Sequence, residues 1–204
     1  MSDEKVRRSH LPIHAVLNER FSPRAFSARP VTDAELELVL EAARWTCSSM
    51  NEQPWRFLVT RQGREGHAAL LSALEPSNAV WADKAPVLIL NMVSRELSRY
   101  GNENHHAWHD LGAATAQLTA QATALGMGLR QLAGFHPEVA RAAFAIPAEF
   151  DLVSVVALGF PGDPNDLEEA LREREWQYST RKPLSELVSY GRFAHRHRGA
   201  TPEG

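Results

Sequence analysis

The sequence is poor in several features that would place it quickly in a large class of proteins. It holds a single cysteine, Cys47. One thiol builds neither an intrachain disulfide framework nor a cysteine-rich metal site, and it fits a reducing compartment. No hydrophobic run approaches the roughly 20 residues that cross a bilayer. The longest runs, residues 86–93 and 152–160, are far shorter. The opening residues, MSDEKVRRSHLPIH, carry no apolar run after their charges, which argues against a secretory signal. The net charge is only −3, from 22 basic and 25 acidic side chains, so no global field draws the chain to nucleic acid. Together these absences lead to the expectation of a soluble, cytoplasmic protein with neither a nucleic-acid nor a membrane partner.

What is present suits a packed domain. With 204 residues, 44% of them hydrophobic and 23% charged, the chain can bury a real core. No repeat or long linker divides it. Residues 11–193 are expected to form one domain, and the polar ends, 1–10 and 194–204, to be flexible. Thr32 and Glu35 have the spacing of a capping box, followed by Leu36, Val39, Leu40 and Ala43 at helical intervals. This predicts an amphipathic helix over 33–45. Residues 55–60 read as a strand, 66–74 as a short helix, and 86–93 (PVLILNMV) as a strand buried on both faces. An Ala-rich helix is expected over 106–125, with Gly126 and Gly128 stopping it. Pro137 opens another short helix, 152–160 (LVSVVALGF) is a third strand, and 166–174 a charged helix. Strict strand–helix alternation is absent, so the pattern predicts a layered α+β fold.

Three segments carry candidate chemistry. Arg20-Phe21-Ser22-Pro23-Arg24 places two arginines and a serine within five residues. Guanidinium matches phosphate bidentately and a hydroxyl adds a donor, so this is either an anion clamp or a solvated basic turn. Cys47-Ser48-Ser49-Met50-Asn51-Glu52-Gln53-Pro54-Trp55 joins a helix end to a strand. Its amides donate and accept at once, which suits the edge of a heteroaromatic ring, although Ser- and Asn-rich turns are common. Ser179-Thr180-Arg181-Lys182-Pro183-Leu184 is unremarkable alone.

In this order and spacing the three segments resemble the nitroreductase family of flavoproteins. That family has an Arg-x-Ser-x-Arg segment, a Ser-Ser-x-Asn-x-Gln-Pro-Trp turn entering a strand, and a late Arg-x-Pro segment. The resemblance covers roughly residues 16–191 and extends to Leu125-Gly126-Met127-Gly128, Gly134-Phe135 and Ala157-Leu158-Gly159. It implies a three-layer fold, a mixed and mainly antiparallel sheet wrapped by helices. It also implies a homodimer built on the Ala-rich helix, with a C-terminal extension reaching the partner.

The cofactor implied is FMN, with NAD(P)H as electron donor. Arg20 and Ser22 would hold the phosphate, joined by Arg181, and Arg24 would sit near the pyrimidine edge of the ring. Ser48 and Ser49, with Asn51 alongside, would reach the partner's flavin. Asn78 would meet the ring edge, and the backbone of Ala133 and Gly134 would face N5 and O4. Phe21, Cys47 and Gln53 complete the implied cofactor-binding set. Cys47 stands where the family usually has proline or a small residue, Phe21 where a basic residue is frequent, Ala133 where some members have glutamate, and Ser179 where some have lysine. Tyr100 and Trp108 would line the substrate pocket or pack the dimer interface. No side chain is required as nucleophile or base, because the flavin carries the chemistry.

The function implied is an FMN-dependent NAD(P)H oxidoreductase. It would reduce nitroaromatic, quinone or similar small planar acceptors by ping-pong hydride transfer through flavin N5. Alternatives are an FMN protein for flavin storage or processing, and a basic binding module without flavin. No metal is expected: His105 and His109 lie four apart, but no third ligand accompanies them. Cys47 could be a redox thiol or an inert buried one. His195-Arg196-His197-Arg198 reads as an unstructured basic end, and Gly126-Met127-Gly128 as a helix stop rather than a dinucleotide fingerprint.

Overall fold

Thr32 and Glu35 start the first long helix by the exchange their spacing predicts. The Thr32 hydroxyl accepts the Glu35 backbone N–H at 3.2 Å, and the Glu35 carboxylate accepts the Thr32 N–H at 2.9 Å. The computed structural model describes residues 9–175 and 180–193. Expectations for residues 1–8, Ser179 and the tail from 194, including His195 to Arg198, lie outside the described residues.

In chain order the elements are α1 (Ala15–Glu19), α2 (Asp33–Arg44), β1 (Trp55–Arg61), α3 (His67–Ser72), α4 (Pro76–Ala82) and β2 (Val87–Ser94). Then come α5 (Ala107–Ala124), β3 (Gly128–Leu132), α6 (Pro137–Ala143), β4 (Phe150–Gly159), α7 (Glu169–Glu175) and α8 (Leu184–Leu187). The four strands form one sheet in the order β1-β2-β4-β3. Every pairing in it is antiparallel among the described residues, in line with the mainly antiparallel sheet expected.

Strand β2 is central and divides the core by its own alternation. Val87, Ile89 and Val93 face a cluster with α2 and α5, including Val39, Leu111 and Leu118. Leu88, Leu90 and Met92 face the opposite cluster with α3, α4 and α6, including Leu70, Trp81 and Ala140. A strand buried on both faces needs no polar alternation, which is why 86–93 reads as a continuous apolar run. The result is three layers: helices, sheet, helices.

Two features depart from the sequence reading. Gly126, at φ 75°, does stop α5, but Gly128 opens β3 instead of extending the stop. Three short helices complete the picture: α1, α4, begun by Pro76 at its first turn, and α8. No helix of the described chain is long and apolar enough to cross a membrane.

Candidate active site

Edge strand β3, helix α5 and the segment after α1 enclose a cavity of about 460 Å³. Arg20 and Ser22 enter from the segment, Thr119 from α5 and Arg130 from β3, and Arg181 closes the far side. Three residues separated by up to 161 positions in sequence thus share one space: Arg20, Ser22 and Arg181. The Arg20 guanidinium donates to the Ser22 hydroxyl at 3.0 Å. Burial, and then the nearby Arg181, pull the Arg20 pKa below its ordinary value. The group stays charged at neutral pH all the same.

Arg130 was not singled out in the sequence. It lies 108 residues from Ser22, whose backbone carbonyl accepts its Nη1–H. Its pKa falls to about 10, first by burial and then through Arg24, with Glu175 opposing and Arg174 adding to the fall. The guanidinium carbon lies 5.6 Å from the centroid of the Trp81 ring. Among the described residues no carboxylate forms an ion pair with Arg20, Arg130 or Arg181. This concentration of unpaired positive charge is the chief electrostatic feature of the cavity.

Arg24 stands apart from it. Its guanidinium pairs with Glu175 at 3.3 Å, and both side chains are largely buried. The same carboxylate accepts the backbone N–H groups of Arg24 at 2.7 Å and Ala25 at 3.4 Å. Arg24 therefore fastens α7 to the segment that bears Arg20 and Ser22. Phe21, between them, is half-buried.

The turn after α2 forms a second group. Ser48 Oγ accepts the Gln53 N–H at 3.0 Å, and the Gln53 amide donates to the Asn51 carbonyl at 3.0 Å. Met50, Asn51 and Gln53 hold positive φ values of 55°, 57° and 52°. Such conformations are uncommon outside glycine and persist where the surroundings impose them. One restraint is Asp110, whose carboxylate accepts the Ser49 N–H at 3.0 Å. Another is Glu52, which accepts the Ser98 N–H at 2.7 Å. Cys47 is a free thiol and exposed, which corrects the inert buried reading of it. None of the turn residues lines the cavity.

The third group joins α4 to the end of β3. Asn78 Nδ2 donates to the Gly134 carbonyl at 3.0 Å, and the Glu75 N–H donates to the same oxygen at 3.0 Å. A Cβ on residue 134 would stand 2.8 Å from Asn78 Nδ2 and 3.2 Å from Glu75 Cγ, so a side chain there would displace the Asn78 amide from its contact. Ala133, beside it, is exposed. Tyr100 and Trp108 are also exposed, and the Trp108 indole N–H donates to Asp151 at 3.0 Å. Among the described residues no group of three or more His, Cys, Asp or Glu could hold a metal ion.

Comparison with known proteins gives this arrangement its context. A model of the nitroreductase family matches residues 17–79, which span Arg20 through Asn78. A provisionally named NADH dehydrogenase/NAD(P)H nitroreductase of Archaeoglobus fulgidus is 33% identical over 157 residues, 74% of this chain and 86% of that protein. The chain belongs to the nitroreductase family. Family likeness reaches well past the matched segment. A solved structure described as an oxidoreductase containing FMN superposes with a TM-score of 0.88 at 30% identity, covering 96% of this chain and all of that one. The chain is also similar to a 5,6-dimethylbenzimidazole synthase of Rhodospirillum rubrum, 26% identical over 84% of this chain and 90% of that protein. Arg130, Ala133, Gly134 and Arg181 lie outside the residues matched by the family model.

Proposed function

We propose that this nitroreductase-family chain is an FMN-dependent NAD(P)H oxidoreductase acting on small planar acceptors such as quinones and nitroaromatics. The observation that carries the proposal is the cavity lined by Arg20, Arg130 and Arg181, with no carboxylate among the described residues paired to any of them. Concentrated unpaired guanidinium groups disfavour the empty state by mutual repulsion, and a dianionic phosphate relieves it. The donor set fits a phosphate monoester: guanidinium forks and the Ser22 hydroxyl, which accepts from Arg20 and keeps its own hydrogen to donate. The FMN-containing relative, similar over nearly the whole chain, supports the same ligand.

Arg20, Ser22 and Arg181 would hold the phosphate. The Asn78–Gly134 junction, with Ala133 exposed beside it, would face the ring. FMN held there would supply hydride-transfer chemistry, with N5 as the reactive atom. The chain's own part is to fix position and charge. Asp110 and Glu52 hold the Ser48-to-Gln53 turn in its strained form, and Glu175 holds Arg24.

We further propose a homodimer. The turn residues Ser48, Ser49 and Asn51 do not reach this protomer's cavity, and a two-fold would bring them to the partner's. Exposed apolar side chains support this. Trp45 is 75% exposed, and Leu184, Leu187 and Tyr190 project from the C-terminal arm at 63%, 62% and 92%. A reducing, cytoplasmic setting is consistent with the free, exposed Cys47.

NAD(P)H oxidation in the presence of menadione or nitrofurazone tests the proposal. Acceptor-dependent turnover supports it. A protein that holds FMN yet leaves it oxidised with either nicotinamide favours the second reading, flavin storage or processing, which the synthase relative keeps in view.

A further inference from the structure

We propose that Arg130 is a third phosphate cation of the cavity, and that it makes the site select a dianionic phosphate monoester over the corresponding neutral alcohol. The inference rests on the flavin reading above and adds a residue that the family motifs do not contain.

Arg20, Arg130 and Arg181 line one cavity, and Arg24 and Arg174 act on Arg130 from outside it. The carboxylate that opposes this charge at Arg130 is Glu175. That group is already committed to the Arg24 guanidinium and to two backbone N–H groups. Burial lowers the Arg130 pKa to about 10, which still leaves it charged at neutral pH. Among the described residues no carboxylate pairs with it, and a partly buried cation so placed is costly until an anion enters.

Geometry then makes Arg130 a fixed donor. One N–H is spent on the Ser22 carbonyl, and the guanidinium stands over the Trp81 ring. The ring is among the most deeply buried side chains of the α4 layer. Guanidinium carries five N–H donors, so the Ser22 contact leaves others for a ligand. Position also matters: Arg130 sits on a strand, between Leu129 and Gln131, which also line the cavity. A cation on a strand is held more rigidly than one on the tail, where Arg181 lies.

Arg20 and Arg181 alone would neutralise a phosphate dianion. The third cation therefore adds discrimination between charged and uncharged ligands, because every charge contributes to binding FMN and none to binding riboflavin.

The test measures the affinity of the flavin-stripped full-length protein for FMN and for riboflavin, in wild type and in R130Q and R130K. Glutamine retains a donor for the Ser22 carbonyl and removes the charge. Expected is a strong wild-type preference for FMN that drops by about tenfold or more in R130Q, with riboflavin affinity unchanged. R130K, which keeps the charge, should restore much of the preference, and it guards against a folding defect in R130Q. A wild-type ratio retained by R130Q would overturn the role of Arg130 while leaving the phosphate cavity intact. Equal losses for both flavins would overturn it as well, since they would make Arg130 a purely structural support of the Ser22 segment. A wild type that binds FMN and riboflavin alike would overturn the phosphate reading itself, and this proposal with it.

Discussion

Asp110, in the first turn of α5, accepts the backbone N–H of Ser49 at 3.0 Å across 61 residues of sequence. The carboxylate is buried, and its other oxygen lies 3.3 Å from His109 Nδ1. The turn it holds contains three non-glycine residues at positive φ. Each such residue costs of order 1 kcal/mol or more, so the conformation needs external ties. Asp110→Ala should lower unfolding free energy by about 2 kcal/mol, the size of a lost buried charge-assisted hydrogen bond. Asp110→Asn keeps an acceptor and should recover much of that. Urea unfolding of both variants checks this. Wild-type stability in Asp110→Ala would show that the tie is not needed.

Arg20 joins the cavity by its guanidinium and by its contact with Ser22. Arg20→Ala should weaken FMN binding by about 1.5–3 kcal/mol, the contribution of a charge-assisted phosphate contact. The measurement is retained flavin after dialysis, followed by titration. Full retention would place the phosphate elsewhere.

Gly128 begins β3 with its Cα against the Pro23 ring, and a Cβ there would clash with ring carbons. A proline ring cannot rotate away, so the segment between Arg20 and Arg24 would have to shift. Gly128→Ala should destabilise the fold by about 1–3 kcal/mol through overpacking and weaken FMN binding at the same time. A variant with normal melting and normal FMN affinity would show that this segment yields easily.

His67 is buried, with its Nε2 unpartnered among the described residues. Burial lowers its pKa, against an opposing hydrogen bond to the Ala85 backbone and the charge of Asp83. The unfolded chain therefore binds a proton more readily than the folded one. Stability from this group is complete above its unfolded value near 6.5 and declines as pH falls from there toward the folded value. The slope is at most about 1.4 kcal/mol per pH unit. Denaturant midpoints from pH 7 to 5 should fall in wild type and fall less in His67→Gln. Parallel curves would remove His67 as the cause.

Legibility followed local against non-local cause. The capping box at Thr32, the apolar run of β2 and the Ala-rich α5 are set by neighbours in sequence, and each stands where the pattern puts it. Edge strand β3 was missed because Gly128-Leu129-Arg130-Gln131-Leu132 mixes polar residues into a short run that itself begins with glycine, two residues after Gly126. Its strand state comes from pairing with β4. The meeting of Arg20, Ser22 and Arg181 in one cavity was legible through a family motif. Arg130 was not, because nothing local distinguishes a lone arginine whose partners lie more than 100 residues away. Asp110 did leave a signal: it sits in phase with the buried positions Ala107, Ala114 and Leu118 of α5. An acid on an apolar stripe asks for a partner.

The most direct measurement is a visible absorption spectrum of the purified protein soaked with FMN, recorded before and after anaerobic NADH or NADPH. Bound flavin bands that bleach with one or both nicotinamides are the predicted result. A colourless protein after soaking would contradict the flavin site, and bound flavin that stays oxidised with both donors would contradict the oxidoreductase function.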